Sequence, residues 1–131
     1  MATTHDTLQV TNVMPSLTVD DLQKSIAFYE ALGFAVDERW EDNGTLLGVT
    51  MSAGEAQLGL SQDDWKKGRD RQKGVGVRRS FETTQNVDEI ASRAKSAGIK
   101  LGREPHDTEW KARAFEVTDP TGYILMVYSE A

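Results

Sequence analysis

The chain has 131 residues and no cysteine, and 21 acidic against 15 basic residues give it a net charge of -6. This length fits one domain with a buried core. The lack of cysteine excludes disulfides, thiolate metal sites and a cysteine nucleophile, and it fits a cytoplasmic location. The acidic balance argues against nucleic-acid binding. No apolar run reaches the roughly 20 residues that cross a bilayer, and the first ten residues lack a signal-peptide profile, so we expect no membrane partner.

The predicted elements occur twice in the same order. A strand in VTNVMPSLTV precedes a helix in VDDLQKSIAFYEALGF and the strands AVDERW, TLLGVTMS and EAQLGLS. The second half repeats this with GVGVRRSFETT, TQNVDEIASRAKSAGI, IKLGRE, ARAFEVT and YILMVYS. The helices begin at Asp20 or Asp21 and at Asn86, and they end near Gly33 and Gly98, so Asp21 and Asn86 lie 65 residues apart, as do the two glycines.

This repetition predicts an α+β fold of two βαβββ modules, about residues 8–61 and 75–129, in a single domain of residues 1–131. Alternation within each strand separates a side that packs on a helix from an open side. Leu125 and Val127 take the helix side of the last strand and Met126 the open side, while Met14 takes the open side of the first strand. We expect curved mixed sheets with the helices outside, forming a cup for a small molecule.

The segment DDWKKGRDRQKGVGVRR, residues 63–79, carries seven basic and three acidic residues between the modules. One interpretation is a solvated loop. The other is a mobile basic lid that attracts an anionic ligand.

The motifs LTVDDLQKSIAFYEALGF and FEVTDPTGYILMVY, in this duplicated order, resemble the vicinal oxygen chelate superfamily. That superfamily includes glyoxalase I, extradiol dioxygenases, fosfomycin-resistance enzymes and bleomycin-resistance proteins. The resemblance implies that its enzymes hold a divalent metal in the cup by histidine and glutamate. This chain has Met14, Gly59 and Met126 at three of those positions, and Arg78 or Arg79 at the fourth. Alternation favours Arg78. None of these residues ligates a hard cation, so we expect no metal and no cofactor.

A second motif, EWKARAFEVTDPTGY, resembles the W-G-x-R-x-F-x-V-x-D-P-x-G pattern of the bleomycin-resistance-like branch, with Lys111 where that branch usually has glycine. The resemblance implies a homodimer that sequesters a bulky aromatic or peptide-derived antibiotic in grooves between subunits, without turnover. Trp110 would stack against the ligand. The alternative is that Trp110 and Arg113 serve the fold or the dimer contact.

Six residues are therefore predicted to bind the ligand: Trp110, Met14, Met126, Arg78, Trp65 and Trp40. Packing explains the methionines and tryptophans equally well. The competing function is an enzyme of the same superfamily, of the glyoxalase, lyase or dioxygenase type, with a relocated metal or with Glu82 or Glu116 as a carboxylate base. Ion pairs to Arg78 or Arg113 are the alternative for these two glutamates. The two histidines are predicted outside the strands, with His106 in a loop.

Overall fold

The computed structural model describes residues 7–130, which form two modules of one helix and four strands each. The first module contains β1 (Ser16–Val19), α1 (Leu22–Leu32), β2 (Ala35–Asp42), β3 (Thr45–Ala53) and β4 (Ala56–Gln62). The second contains β5 (Arg78–Glu82), α2 (Val87–Ser96), β6 (Leu101–Asp107), β7 (Ala112–Thr118) and β8 (Ile124–Glu130). The predicted βαβββ duplication is confirmed. Among the described residues, neither helix is long and apolar enough to cross a membrane.

Both modules build the same mixed sheet. Sheet A has the strand order β1-β4-β3-β2 and sheet B the order β5-β8-β7-β6. In each, the first strand pairs in parallel with the last, and the other pairings are antiparallel. The strand β1 is shorter than predicted, so Met14 lies on the segment before it and is 42% exposed.

The helix ends explain the 65-residue repeat. The Asp21 carboxylate accepts a hydrogen bond from the Lys24 N–H, and the Asn86 side chain accepts one from the Glu89 N–H. These are N-cap bonds that satisfy amides with no partner inside the helix. After each helix, Gly33 and Gly98 adopt φ values of 109° and 95°. Glycine takes this left-handed conformation without the strain of a Cβ.

One hydrophobic core joins the modules. Leu58, Leu60 and Leu125 are fully buried on the helix sides of β4 and β8, as alternation predicts. The ring of Phe34, just after α1, meets the ring of Phe81 in β5 edge-to-face at 5.7 Å between centroids. The contact belongs to a continuous cluster with members from both modules. The open side of each sheet is consequently the side turned away from the helices.

A buried arginine lies in this core. Arg79 is 7% exposed, its guanidinium lies 3.9 Å from the Asp119 carboxylate, and its charge faces the rings of Tyr29, Phe81 and Tyr123 at 5.5–6.0 Å. Its guanidinium nitrogens make no hydrogen bond within the described residues. The carboxylate and the ring faces therefore carry the stabilisation of this buried cation. Since Arg79 takes the core side of β5, Arg78 takes the open side, which is the register favoured by alternation.

The first residue of the basic segment anchors the loop through ion pairs and a hydrogen bond. Asp63 is buried, and its carboxylate meets the Lys73 ammonium at 2.8 Å and the Arg71 guanidinium at 2.8 Å. The Trp65 N–H donates to the same carboxylate, and the Trp65 ring faces the cations of Arg69 and Lys73 at 4.7 and 4.8 Å. One interpretation of this segment was a basic lid that attracts an anionic ligand. Three of its basic groups already make contacts with other groups of the loop.

Candidate functional site on the open face of sheet B

Cross-strand pairing aligns the side chains on the open face of sheet B. Residues paired across neighbouring strands point to the same face of a sheet. One row crosses β5, β8, β7 and β6 as Glu82, Tyr128, Ala114 and His106. The adjacent row runs in the same strand order through Ser80, Met126, Glu116 and Arg103.

An aromatic pair stands at one end of this face. The Trp110 indole meets the Tyr128 ring edge-to-face, at 5.1 Å between centroids and 77° between planes, and Trp110 remains 49% exposed. Ala114, next to Tyr128 in the row, is completely buried at the base of this pair. Exposed indole surface next to a second ring is suited to a planar aromatic ligand.

The turn that carries Trp110 has a strained residue. Thr108 closes the turn, since its hydroxyl accepts from the Ala112 N–H at 2.9 Å and its carbonyl from the Lys111 N–H at 3.1 Å. Lys111 adopts φ 66°. This conformation favours glycine, which gives a physical reason for the glycine of the bleomycin-resistance-like motif at this position.

Met126 and an ion pair continue the face. The Met126 side chain is half-buried, in the row between Ser80 and Glu116. The Arg78 guanidinium donates to the Glu116 carboxylate at 2.9 Å. Glu116 therefore forms an ion pair. In the sequence analysis, this ion pair was the alternative to a role of Glu116 as a catalytic base.

Glu82 and His106 complete the row that contains Tyr128. Glu82 is exposed and makes no side-chain hydrogen bond or ion pair within residues 7–130. The prediction that His106 lies in a loop is wrong, because β6 extends to Asp107 and pairs His106 with Ala114. Pro105 interrupts the strand pattern in the sequence, but β6 is an edge strand with a register shift at this point, where proline is tolerated.

Arg113 stabilises the fold by linking a strand to a helix. Its guanidinium binds the Asp88 carboxylate of α2 through two hydrogen bonds of 3.0 and 3.2 Å, and it lies 3.2 Å from Asp107. The hydrogen bonds from Arg113 lower the pKa of Asp88. The bonds to Asp88 attach α2 to β7 on the side opposite the open face.

The three tryptophans lie in three separate places. Trp110 is on sheet B, Trp65 is in the 63–76 loop, and Trp40 is on the open face of sheet A, paired with Gly48. A Cβ at residue 48 would collide with the Trp40 indole, so Gly48 provides the space in which this ring lies. Of the six predicted residues, the structure therefore places Trp110, Met126 and Arg78 on one face. Ligand binding by all six stays a prediction.

The sequence model of the Glyoxalase/Bleomycin resistance protein/Dioxygenase superfamily matches residues 9–127. The chain belongs to this superfamily. Its fold is similar to that of TioX from Micromonospora sp. ML1, with a TM-score of 0.75, 17% identity and coverage of 93% of this chain and 100% of that one. Hypothetical protein SA1046 from S. aureus gives 0.71 and 21%, covering 92% and 95%. Lactoylglutathione lyase from Agrobacterium tumefaciens gives 0.65 and 21%, covering 92% and 94%.

These identities show a shared fold and leave the activity open. A search of curated protein sequences gave no match.

The metal of the superfamily's enzymes does not fit the side chains present. Met126 pairs with Ser80, and Gly59 pairs with Ser16, so no imidazole or carboxylate stands at either strand pair. Across the part of the chain that the structure describes, no three His, Asp or Glu side chains converge as a metal site. Hard divalent cations need such oxygen or nitrogen ligands, and thioether and guanidinium groups do not supply them.

Proposed function

We propose that the protein binds a small molecule carrying a planar aromatic group and releases it unchanged. The open face of sheet B is the binding surface. The observation that supports this most directly is the exposed Trp110 indole, held edge-to-face by Tyr128 on the face that Met126 continues. Aromatic rings offer large apolar area with few rotatable bonds, and a methionine side chain adapts to irregular ligands. A bulky aromatic or peptide-derived antibiotic is the ligand class that this surface suits.

The ion pair of Arg78 and Glu116 supports binding rather than turnover. The Glu116 carboxylate is already engaged by the Arg78 guanidinium at 2.9 Å, an arrangement that suits the positioning of a polar group. The pair borders the apolar surface and provides one donor and one acceptor for polar groups of the ligand. In this arrangement the two residues fix the orientation of the ligand, and Trp110 and Met126 supply the contact area.

The proposal includes a homodimer, in which a second copy covers the open faces and turns them into grooves. Exposed indoles on the open faces support this, since Trp40 on sheet A is 41% exposed and Trp110 on sheet B is 49% exposed. Tryptophan is enriched in the cores of protein interfaces. Sedimentation equilibrium distinguishes the expected dimer from a monomer of 14.5 kDa.

Tryptophan fluorescence tests the binding surface. The double variant Trp40→Phe/Trp65→Phe leaves Trp110 as the reporter, and Trp65→Phe/Trp110→Phe leaves Trp40 as its matched control. Both are titrated with bleomycin, a tetracycline and a rifamycin. We expect saturable quenching of Trp110 by at least one compound, recovered unchanged by mass spectrometry. Saturable quenching that appears only in the Trp40 reporter contradicts the proposed site.

A second candidate function is proton abstraction by Glu82. The observation that favours it is that this carboxylate has no partner within the described residues and lies in the row with Tyr128. An unpaired carboxylate beside a phenol is a candidate base in a glyoxalase- or lyase-type reaction. Incubation of bound ligand in deuterated water tests this. If deuterium is incorporated at a carbon of the ligand and Glu82→Gln abolishes this incorporation, the result supports an enzyme. If the ligand is recovered without deuterium on carbon, the result supports binding alone.

A further inference from the structure

A cavity of about 780 Å³ lies at the junction of the two modules. Its walls come from the end of α1 with Phe34, the β3–β4 turn 53–56, the end of β5 with residues 80–85, and α2 through Ile90 and Arg93. None of the six predicted ligand-binding residues lines it. The volume is in the range of small-molecule pockets, roughly 300–1,000 Å³.

The duplication places different residues at corresponding positions of the two ends of the junction. The first residue after β7 is Asp119, and its carboxylate accepts a hydrogen bond from the hydroxyl of Tyr29. At the 65-residue offset the corresponding residues are Gly54, the first after β3, and Ala94 of α2. The larger pair fills one end of the junction with a phenol and a carboxylate. The smaller pair leaves the other end without these groups.

The cavity walls combine aromatic surface with an excess of negative charge. The rings of Phe34 and Phe81 meet edge-to-face in the wall. The charged side chains of the lining are Glu55, Glu82 and Arg93, which gives one net negative charge. Across residues 7–130, these three side chains form no ion pair with one another or with other residues. Their charges are therefore available to a ligand.

The free edge of β5 adds backbone hydrogen-bonding groups. This strand is the outer strand of sheet B, and within the described part of the chain it pairs only with β8. The Thr83 N–H donates to the Tyr128 carbonyl, so the alternate residues Ser80 and Glu82 direct their backbone groups away from β8. Both residues line the cavity. A polar group on the ligand can therefore bond to the strand edge.

We propose that this cavity is a second ligand site, which takes a cationic aromatic amine. The ring of the amine packs against Phe34 and Phe81, and its ammonium group lies between Glu55 and Glu82. The acidic surface of the whole protein favours the approach of such a cation. The site is distinct from the surface formed by Trp110 and Met126, because neither residue contributes to its walls; it shares only Ser80 and Glu82 with the rows of the sheet B face.

Three probes of similar size separate charge from aromatic contact. 2-Phenylethylamine, 2-phenylethanol and phenylacetate are titrated into ¹⁵N-labelled protein and followed by amide chemical shifts. We expect the amine to bind most tightly, with shifts at residues 80–85 and 53–56, and the acid to bind most weakly. Raising the salt concentration weakens the binding of the amine and leaves that of the alcohol unchanged.

Charge variants test whether the cavity selects a cation, because removing a negative charge and removing a positive charge should have opposite effects on amine binding. Glu82→Gln and Glu55→Gln each weaken amine binding about threefold, the size typical of exposed ion pairs. Arg93→Gln leaves amine binding unchanged or tightens it. Glu38→Gln, on sheet A, is the matched control and has no effect. Trp110→Phe also leaves amine binding intact, so a failure of the sheet B proposal is distinguished from a failure of this one.

A steric pair tests the cavity itself. Ala56→Leu puts a larger side chain into the wall and abolishes binding of the amine, whereas Ala35→Leu, at an exposed position outside the lining, leaves binding intact. Unfolding midpoints verify that both variants are folded. The proposal is overturned if the acid binds more tightly than the amine, if Arg93→Gln is the variant that weakens binding, or if folded Ala56→Leu binds the amine as the parent does.

Discussion

The hydroxyl of Tyr29 donates a hydrogen bond of 2.7 Å to the carboxylate of Asp119, and both side chains are buried. Tyr29 belongs to α1 of the first module, and Asp119 begins the turn after β7 of the second. The other oxygen of the carboxylate accepts the N–H groups of Thr121, Gly122 and Tyr123. Burial raises the pKa of the Tyr29 phenol; the nearby Arg79 charge opposes this rise and the Asp119 charge adds to it, so the phenol keeps its proton.

Replacing Tyr29 by Phe removes this link between the modules. We expect the free energy of unfolding to fall by about 1–3 kcal/mol, because a buried hydrogen bond to a charged acceptor is lost. Urea denaturation measures the change.

Tyr123→Phe is the matched control. Its hydroxyl donates to the Thr18 carbonyl at 3.0 Å, a neutral acceptor in a partly buried place. The expected loss is about 0.5–1.5 kcal/mol, smaller than for Tyr29→Phe. An equal or larger loss from Tyr123→Phe contradicts the assigned role of the Tyr29–Asp119 bond.

Local signals in the sequence were enough to predict most of the fold. Cap residues and glycines predict helix ends at Asp20 or Asp21, at Gly33 and at Asn86, because their roles depend only on neighbouring backbone; the structure selects Asp21. The strand 112–118 was predicted with its observed bounds, since its alternation is uninterrupted. Alternation also put Arg79 on the core side, although it did not reveal the carboxylate and three rings that make a buried cation tolerable there.

The rest of the site depends on contacts between distant segments. The sequence does not predict His106 within a strand, because Pro105 interrupts the strand pattern. Only the pairing with β7 shows which face His106 takes. The space for Trp40 is set by Gly48 on another strand. The junction cavity arises from the docking of the modules, a relationship that no single stretch of sequence encodes.

Acid should loosen the 63–76 loop through Asp63. The hydrogen bond from Lys73, followed by those from the Trp65 N–H and Arg71, holds the pKa of Asp63 far below its ordinary value. Because this pKa is depressed in the folded state, the unfolded chain binds more protons in acid. The resulting stability is complete above the unfolded pKa, about pH 4, and is lost as the pH falls through the folded value.

Asp63→Asn tests this dependence. Between pH 6 and pH 3, the free energy of unfolding of this variant should fall less than that of the parent. Asp64→Asn is the control, since Asp64 is exposed and 3.9 Å from Lys66, and it should follow the parent. Identical acid profiles for Asp63→Asn and the parent contradict the role given to the carboxylate.

Lys111→Gly should stabilise the turn that carries Trp110. Lys111 holds φ 66°, which costs a non-glycine residue about 1 kcal/mol or more. We expect a gain of about 0.5–1 kcal/mol in the free energy of unfolding, since glycine adopts this conformation without a Cβ clash. Lys100→Gly, outside any positive-φ position, should not stabilise. If Lys111→Gly lowers the free energy of unfolding as much as Lys100→Gly does, backbone strain at residue 111 is not a source of instability.

Gly48→Ala should displace Trp40. The added Cβ meets the indole and the Leu60 carbonyl, and overpacking of this kind costs about 1–3 kcal/mol. In the Trp40→Ala background the same change should cost less, since the indole is gone. Gly102→Ala is the control, because its Cβ makes ordinary contacts with the backbone of Glu116. Equal costs of Gly48→Ala in both backgrounds contradict the proposed packing of Trp40 on Gly48.

Methionine methyl NMR during ligand titration tests the central claim most directly. Met126 lies on the open face of sheet B, Met14 precedes β1, and Met51 is completely buried in the core. With ¹³C-methyl methionine and an aromatic ligand found by fluorescence, ring currents should shift the Met126 methyl signal saturably and leave Met51 in place. Saturation of the protein with no shift at Met126 contradicts aromatic binding on this face.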